Sequence, residues 1–326
     1  MNSMLKVLVF LFVSFASWLD LPAQMLILDR GPSSGSNQLV GLTKESNAFL
    51  ADDFQVGVAP EVWVIDHIRL WAVPDPKASS AHGPGDLFTK INLYGGIAPD
   101  MPPPDQKATA DCDCHNLPAL KTAVLEPGSH STDSPDVVVS FRSQHDGPGA
   151  WQLDFENLKW SVPGATSIQF GILAEARQGN DPAASYTWYY LASPGPGGDH
   201  LRVFSSLGKL QSSYQNGGNA RVNIQVWGHL LARISIRSSG QNLRVILRSE
   251  PSLKANQVDT ASLRFGPRGA PPDKVRTEDV DHNGKPDLVL YFRSADSGIP
   301  VKSVNACLSG KRLDGAPFEG CDLLPH

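Results

Sequence analysis

The chain has 326 residues, of which 41% are hydrophobic and 19% are charged, and this balance excludes an intrinsically disordered protein. The formal net charge is −5, which argues against a dedicated nucleic-acid-binding protein, because such proteins carry a basic surface. Gly (29) and Pro (26) are frequent, so long helices are not expected. The length corresponds to about two domains.

Residues 1–23 are predicted to be a secretory signal peptide. Residues 4–19 are almost uninterrupted apolar sequence, with Lys6 as the only early positive charge. Such a run is typical of a signal peptide, and it is shorter than the roughly 20 residues that span a bilayer comfortably. Cleavage after Ala16 or after Ala23 satisfies the small-residue rule, and an uncleaved anchor is the alternative. We expect an exported protein, secreted or periplasmic, with no stable membrane span after the signal is removed.

Residues 24–230 are predicted to form a jelly-roll-like β-sandwich. Short runs rich in β-branched and aromatic residues alternate with period two and are separated by turn residues, which is typical of all-β sandwiches. In the run 62–71, alternation places Asp66 and Ile68 on one face and His67 and Arg69 on the other. Both faces are therefore mixed, which we interpret as a strand near the end of the sandwich.

Trp188 and Tyr190 lie on the same face of another predicted strand. If they are exposed, they can stack on sugar rings, and they are the candidate ligand-stacking residues. The alternative is that they fill the core, because aromatic side chains bury a large apolar area. His67 and His229 also lie in strand-like runs, where we expect core or rim residues rather than catalysts.

Two stretches, 74–87 and 97–135, are rich in Pro, Asp, Ser and Gly and are predicted to be long loops. A hydrolase acting on polysaccharide or protein would place its site there. The G-x-S-x-G sequence at 31–35 lacks the strand and helix that a nucleophile elbow needs. No zinc-protease, P-loop or dinucleotide motif is present, so no catalytic residue is assigned.

The four cysteines are an even number, which in an exported protein favours disulfides. Cys307 and Cys321 bracket a glycine-containing turn and are predicted to pair, which would stabilise the fold by about 3 kcal/mol in the loop-entropy estimate. Cys112 and Cys114 precede His115. They fit a strained Cys-x-Cys bridge, an open redox pair or half of a soft-metal site.

Residues 231–326 are predicted to form a small β domain that carries a calcium loop. The segment 279–287 reads D-x-D-x-N-G-x-x-D, which places oxygen donors at alternate positions with Gly284 at the sharp turn. Calcium prefers six to eight oxygen ligands. The predicted ligands are the side chains of Asp279, Asp281, Asn283 and Asp287 and the main-chain carbonyl of Lys285.

The segment departs from an EF-hand at its twelfth position, where Leu290 replaces the bidentate glutamate. Further oxygens would therefore come from Glu278, Asp296 or water. The following run, LVLYF, predicts a strand rather than a helix. The alternative is a solvated Asp/Asn turn that binds no ion.

The C-terminal unit resembles a module of secreted bacterial proteins with a dockerin-like or thrombospondin-type-3-like calcium loop. The matching pieces, in the same order, are ISIRSSG (234–240), VDTASLRFG (258–266), EDVDHNGKPDLVLYF (278–292) and CLSGKRLDGAPFEGC (307–321). His282 stands where that pattern has a small or polar residue. Residues 51–54 (ADDF) and 62–66 resemble sandwich domains of bacterial exported proteins. Neither resemblance implies an enzymatic activity.

We therefore expect a secreted, non-catalytic binding or surface-interaction protein with a structural Ca²⁺, whose partner is an extracellular glycan or a cell-surface component. The hydrolase and a purely structural envelope protein are the alternatives.

Overall fold

The structure, a computed structural model, describes residues 24–31, 38–42, 48–74, 88–97, 117–124, 140–145, 150–176, 188–194, 201–205, 210–214, 220–239, 242–300 and 302–325. These residues form an all-β fold with several sheets, which confirms the predicted fold class. The predicted signal peptide lies outside the described residues.

The strands, numbered in chain order, form three sheets. The twelve-stranded sheet, called the large sheet below, contains β1 (Met25–Arg30), β2 (Gln38–Leu42), β4 (Val62–Pro74), β7 (Ser140–His145), β8 (Trp151–Glu156), β9 (Trp160–Pro163), β11 (Trp188–Pro194), β14 (Ala220–Val222), β15 (Ile224–Leu231), β18 (Val258–Phe265), β21 (Asn305–Arg312) and β22 (Pro317–Leu323). The six-stranded sheet contains β3 (Ala48–Gln55), β5 (Phe88–Ile97), β6 (Ala119–Val124), β10 (Ser167–Ala176), β12 (Leu201–Ser205) and β13 (Leu210–Tyr214). The four-stranded sheet contains β16 (Ile234–Ser239), β17 (Asn242–Leu247), β19 (Lys274–Glu278) and β20 (Asp287–Arg293).

Two short helical segments accompany the strands in the C-terminal part. A 3₁₀ turn spans Ala255–Gln257 before β18, and the helix α1 spans Ser294–Ser297 after β20. Strand β6 corrects one expectation, because it interrupts the predicted 97–135 loop. Its residues alternate poorly, and only Ala123 is buried, which is why the hydrophobic pattern did not reveal it.

One continuous hydrophobic core joins the large sheet to the six-stranded sheet and extends into the C-terminal unit. Phe155 of the large sheet and Phe170 of the six-stranded sheet belong to it, and so does Phe318 of the C-terminal hairpin. An ion pair also joins the first two sheets, because Arg30 Nη1 lies 3.1 Å from Asp52 Oδ2. The same oxygen accepts the N–H of Val222 at 2.9 Å.

A β-bulge in the middle of β4 changes which face of the strand is buried. Trp227 pairs with His67, but the next residue, Gly228, pairs with Ile65, so β4 carries one extra residue here. Ile65 faces the core before the bulge and Ile68 faces it afterwards. Strict alternation along 62–71 was therefore wrong, since a bulge shifts the period of two by one residue. The mixed faces come from this bulge and not from the end of the sandwich.

The C-terminal hairpin β21–β22 continues the large sheet. Strand β22 runs parallel to β15, with Leu230 opposite Phe318, and the N–H of Ala232 donates to the carbonyl of Glu319 at 2.8 Å. The four-stranded sheet is tied to this hairpin by the N–H of Ile236, which donates to Asp322 Oδ2 at 2.9 Å. The C-terminal residues therefore share both a sheet and a core with the sandwich.

Candidate metal centre

The predicted calcium loop is the connection between two antiparallel strands of the four-stranded sheet. Strands β19 and β20 pair from Lys274 opposite Tyr291 to Glu278 opposite Asp287. The ladder therefore ends where the acidic segment begins, and the chain must reverse direction within 279–286. The loop is exposed apart from its partly buried first residues, whereas Asp287, which ends it, is fully buried.

Side-chain oxygens of the loop fold it by accepting its own main-chain N–H groups. Asp279 accepts from Asn283 N at 3.0 Å and from Gly284 N at 2.9 Å, and Asn283 Oδ1 accepts from Lys285 N at 2.8 Å. Gly284 has φ +80°, a left-handed conformation that glycine adopts at little cost. His282 also has a positive φ, of 56°. These local bonds explain why Asp, Asn and Gly occupy these positions.

Asp287 is fixed by contacts on both sides of the loop. Its Oδ1 accepts the N–H of Ser249 at 2.8 Å and its Oδ2 accepts the N–H of Val280 at 3.2 Å. The Ser249 hydroxyl donates to the carbonyl of Pro286 and accepts the N–H of Ala255 at 2.9 Å. The segment after β17 therefore holds this end of the loop in place.

Three carboxylates converge in the loop. Asp279, Asp281 and Asp287 each offer an oxygen, and these oxygens lie within 4.8 Å of one another. Arg248 Nη1 lies 2.8 Å from Asp281 Oδ2 and supplies a positive charge to the group. Three carboxylates at this separation repel one another, and one guanidinium offsets that repulsion only in part. A donor set made only of oxygens matches the preference of Ca²⁺, so these residues fit the ion.

The other predicted ligands differ in what they contact. Asn283 turns its Oδ1 to a main-chain N–H, and Lys285 is exposed. Leu290 is fully buried in β20 and offers no donor. Asp296 lies in α1, beyond the far end of β20, which at about 3.3 Å per residue is some 20 Å from the loop. Among the suggested additional donors, Asp296 is therefore excluded.

Glu278 lies directly before the loop but is already engaged by arginines. Its Oε2 is 3.5 Å from Arg244 Nη2 and its Oε1 is 3.9 Å from Arg276 Nη1. The residues that sequence reasoning missed are Arg248 and Ser249, which contact the loop from 30 or more positions away. No local motif marks them, because they reach the loop through the pairing of β17 with β20.

The predicted disulfide between Cys307 and Cys321 is present and joins directly opposite residues of β21 and β22. Glu319 lies beside it, and its side-chain oxygen and the two sulfurs lie within 4.8 Å of one another. This group is not a metal centre in the disulfide form, since the bonded sulfurs offer no thiolate.

Several predicted features lie outside the described residues. They include Cys112, Cys114, most of the two predicted loops and the side chains of Trp188 and Tyr190, whose main chain lies in β11. His67 and His229 lie in β4 and β15, and each contacts a carboxylate at 2.6 Å, Asp154 and Asp66 respectively.

Comparison of the chain with known protein families finds no match, and comparison with curated proteins finds none either. Within the part of the chain that the structure describes, no helix is long and apolar enough to cross a membrane.

Proposed function

We propose that this protein is a secreted, non-catalytic binding protein in which the 279–287 loop holds a structural Ca²⁺ and the sandwich binds an extracellular glycan. The convergence of Asp279, Asp281 and Asp287 supports the calcium part of the proposal. One of these three carboxylates is fully buried. A buried carboxylate close to two others is costly unless a cation accompanies them.

Calcium would act on stability rather than on chemistry. The ion would neutralise the repulsion within the loop and fix the turn that leads into β20, a core strand. An ion that binds only the folded state adds about 2.7 kcal/mol to the unfolding free energy at 100 times its dissociation constant. The glycan part of the proposal is supported by His67, Arg69 and Trp227 of β4 and β15, where the His67 ring stacks on Trp227 and the Arg69 guanidinium lies 5.1 Å from the centroid of the same ring.

Thermal unfolding in EDTA and in increasing CaCl₂ tests the calcium site. We expect calcium to raise the melting temperature of the wild type by several degrees, and D281N to lose most of that rise because it removes one carboxylate. The matched control is D273N, whose carboxylate pairs with Arg293 at 3.2 Å outside the loop. Calcium titration that leaves the wild-type melting temperature unchanged and gives no heat in calorimetry would contradict the proposal.

A glycan array tests the second part. We expect binding to at least one class of glycan without release of product. Turnover of a polymer would instead support the hydrolase.

A further inference from the structure

A row of polar side chains crosses the outer face of the large sheet. Asp29 is directly opposite Gln225, Gln225 is opposite Arg69, and Arg69 is opposite Asp154, on strands β1, β15, β4 and β8. The neighbours of Arg69 in β4, Ile68 and Leu70, are buried in the core. The row therefore faces away from the six-stranded sheet. Asp29 is engaged by Gln225, whose Nε2 donates to it at 2.9 Å.

The Asp154 carboxylate accepts hydrogen bonds from three side chains. Its Oδ1 is 2.6 Å from His67 Nε2 and 2.7 Å from Arg69 Nε, and its Oδ2 accepts Gln152 Nε2 at 2.8 Å. Burial alone would raise the pKa of Asp154, but the bonds from His67, Arg69 and Gln152 outweigh it and hold the pKa below the ordinary value. The carboxylate is therefore ionised at neutral pH and orients both His67 and Arg69.

Trp227 fixes the same two side chains from the neighbouring strand. The His67 ring stacks on it with centroids 4.2 Å apart and planes 9° apart, and the Arg69 guanidinium carbon lies 5.1 Å from the ring centroid. A cation over an aromatic face is attracted by it. Arg69 therefore has a restricted orientation before any ligand arrives, which lowers the entropy cost of binding.

The hydrogen-bonding groups that remain define the chemistry of a ligand. Arg69 uses its Nε for Asp154, its side chain is 27% exposed, and the described residues place no acceptor against its two Nη groups. A guanidinium donates charge-assisted hydrogen bonds to a carboxylate, so a carboxylate is the ligand group that these Nη groups fit. An ionised carboxylate only accepts, so His67 must donate from Nε2, and in the neutral ring its Nδ1 is then an acceptor.

We propose that Arg69 and His67 form a binding site for a uronic acid residue of an acidic glycan. The sugar carboxylate binds the Arg69 guanidinium, and a neighbouring sugar hydroxyl donates to His67 Nδ1. Asp154, Gln152 and Trp227 are positioning residues. The two Nη groups select this occupant, because Nε is already bound to Asp154 and the remaining donors match a second carboxylate. The inference rests on the proposed function and names the glycan class.

Calorimetry with trigalacturonate and with its methyl ester tests the site. We expect the acid to bind wild type and the ester to bind at least tenfold more weakly, because the ester has no charge for Arg69. R69Q should lose more than tenfold for the acid, and R69K should lose less, because lysine keeps the charge but not the forked geometry. The matched control is R233Q, since Arg233 is an exposed arginine paired with Glu250 at 3.2 Å.

Equal affinity for acid and ester overturns the inference without requiring any variant to fold. Unchanged binding by a folded R69Q overturns it as well. Repeating the titration in EDTA separates this site from binding in which calcium bridges the sugar to the protein. Calcium-bridged binding would be lost in EDTA and kept in R69Q, whereas binding at Arg69 would be kept in EDTA and lost in R69Q. If neutral glycans bind and uronates do not, only this inference fails. If no glycan of any class binds, the proposed glycan function fails too.

Discussion

Single buried charges determine much of the local structure of this protein, and Asp154 shows how. It is largely buried, yet its pKa is below the ordinary value of 3.8 because donors from His67, Arg69 and Gln152 outweigh the effect of burial. A carboxyl whose pKa is lower in the folded state stabilises the fold above its unfolded pKa. That contribution is lost as the pH falls through the folded pKa.

We predict that D154N lowers the unfolding free energy by about 1.5–3 kcal/mol at neutral pH, because the bonds from His67 and Arg69 lose their charged acceptor. The difference from wild type should shrink as the pH falls below 3.8 and through the lower folded-state pKa, because the wild-type carboxyl is then protonated as well. Urea unfolding at pH 7 and at pH 3 measures both values. The control D273N removes an exposed charge and should change stability by less than about 0.5 kcal/mol. A deficit that is the same at both pH values would contradict the assignment.

At the scale of elements, the bulge in β4 determines which side chains form the outer face. It places His67 and Arg69 outward while Ile65 and Ile68 both face the core. At the bulge the main chain of β15 comes very close to that of β4, and only a glycine fits at position 228. A Cβ there would lie 2.2 Å from the carbonyl oxygen of Val64. The clash is with main chain, so no side-chain rotation can relieve it.

We predict that G228A destabilises the protein by about 1–3 kcal/mol, the usual cost of overpacking. Denaturant titration measures this change. Gly31 is the control, since a Cβ there would meet first a side-chain oxygen of Asp29 at 3.0 Å, which can move. G31A should therefore cost about 0.5 kcal/mol or less. Similar costs for the two variants would show that the bulge tolerates a side chain.

At the scale of the whole molecule, the C-terminal unit is joined to the sandwich by more than chain connectivity. Strand β22 extends the large sheet, and Arg312 Nη1 lies 2.6 Å from Glu61 Oε1 across the junction. The other oxygen of Glu61 accepts Trp63 Nε1 at 2.9 Å. Both members of the ion pair are largely buried. Arg312 also pairs with Asp314 at 2.6 Å, so it is the removal of Arg312 that leaves an uncompensated charge, on Glu61.

We predict that R312M lowers the unfolding free energy by about 3–5 kcal/mol, the usual result of breaking a buried pair from one side. Adding E61Q should restore part of the lost stability, because the unpaired carboxylate is then replaced by a neutral amide. A double-mutant cycle by urea unfolding measures this coupling. R233M removes an exposed arginine and should have little effect. Additive losses in the cycle would mean that the two side chains act independently.

The sequence by itself determined the all-β class, the Cys307–Cys321 disulfide and the positions of the acidic side chains in the 279–287 loop. These features depend on period-two hydrophobicity and on residue types close together in the chain. Only the tertiary structure showed Arg248 and Ser249 beside the loop. It alone also showed the bulge that changes which residues of β4 face the core, and Arg69 oriented by Asp154 and Trp227. Those contacts join residues that are distant in sequence, and strand pairing, which no local pattern encodes, brings them together.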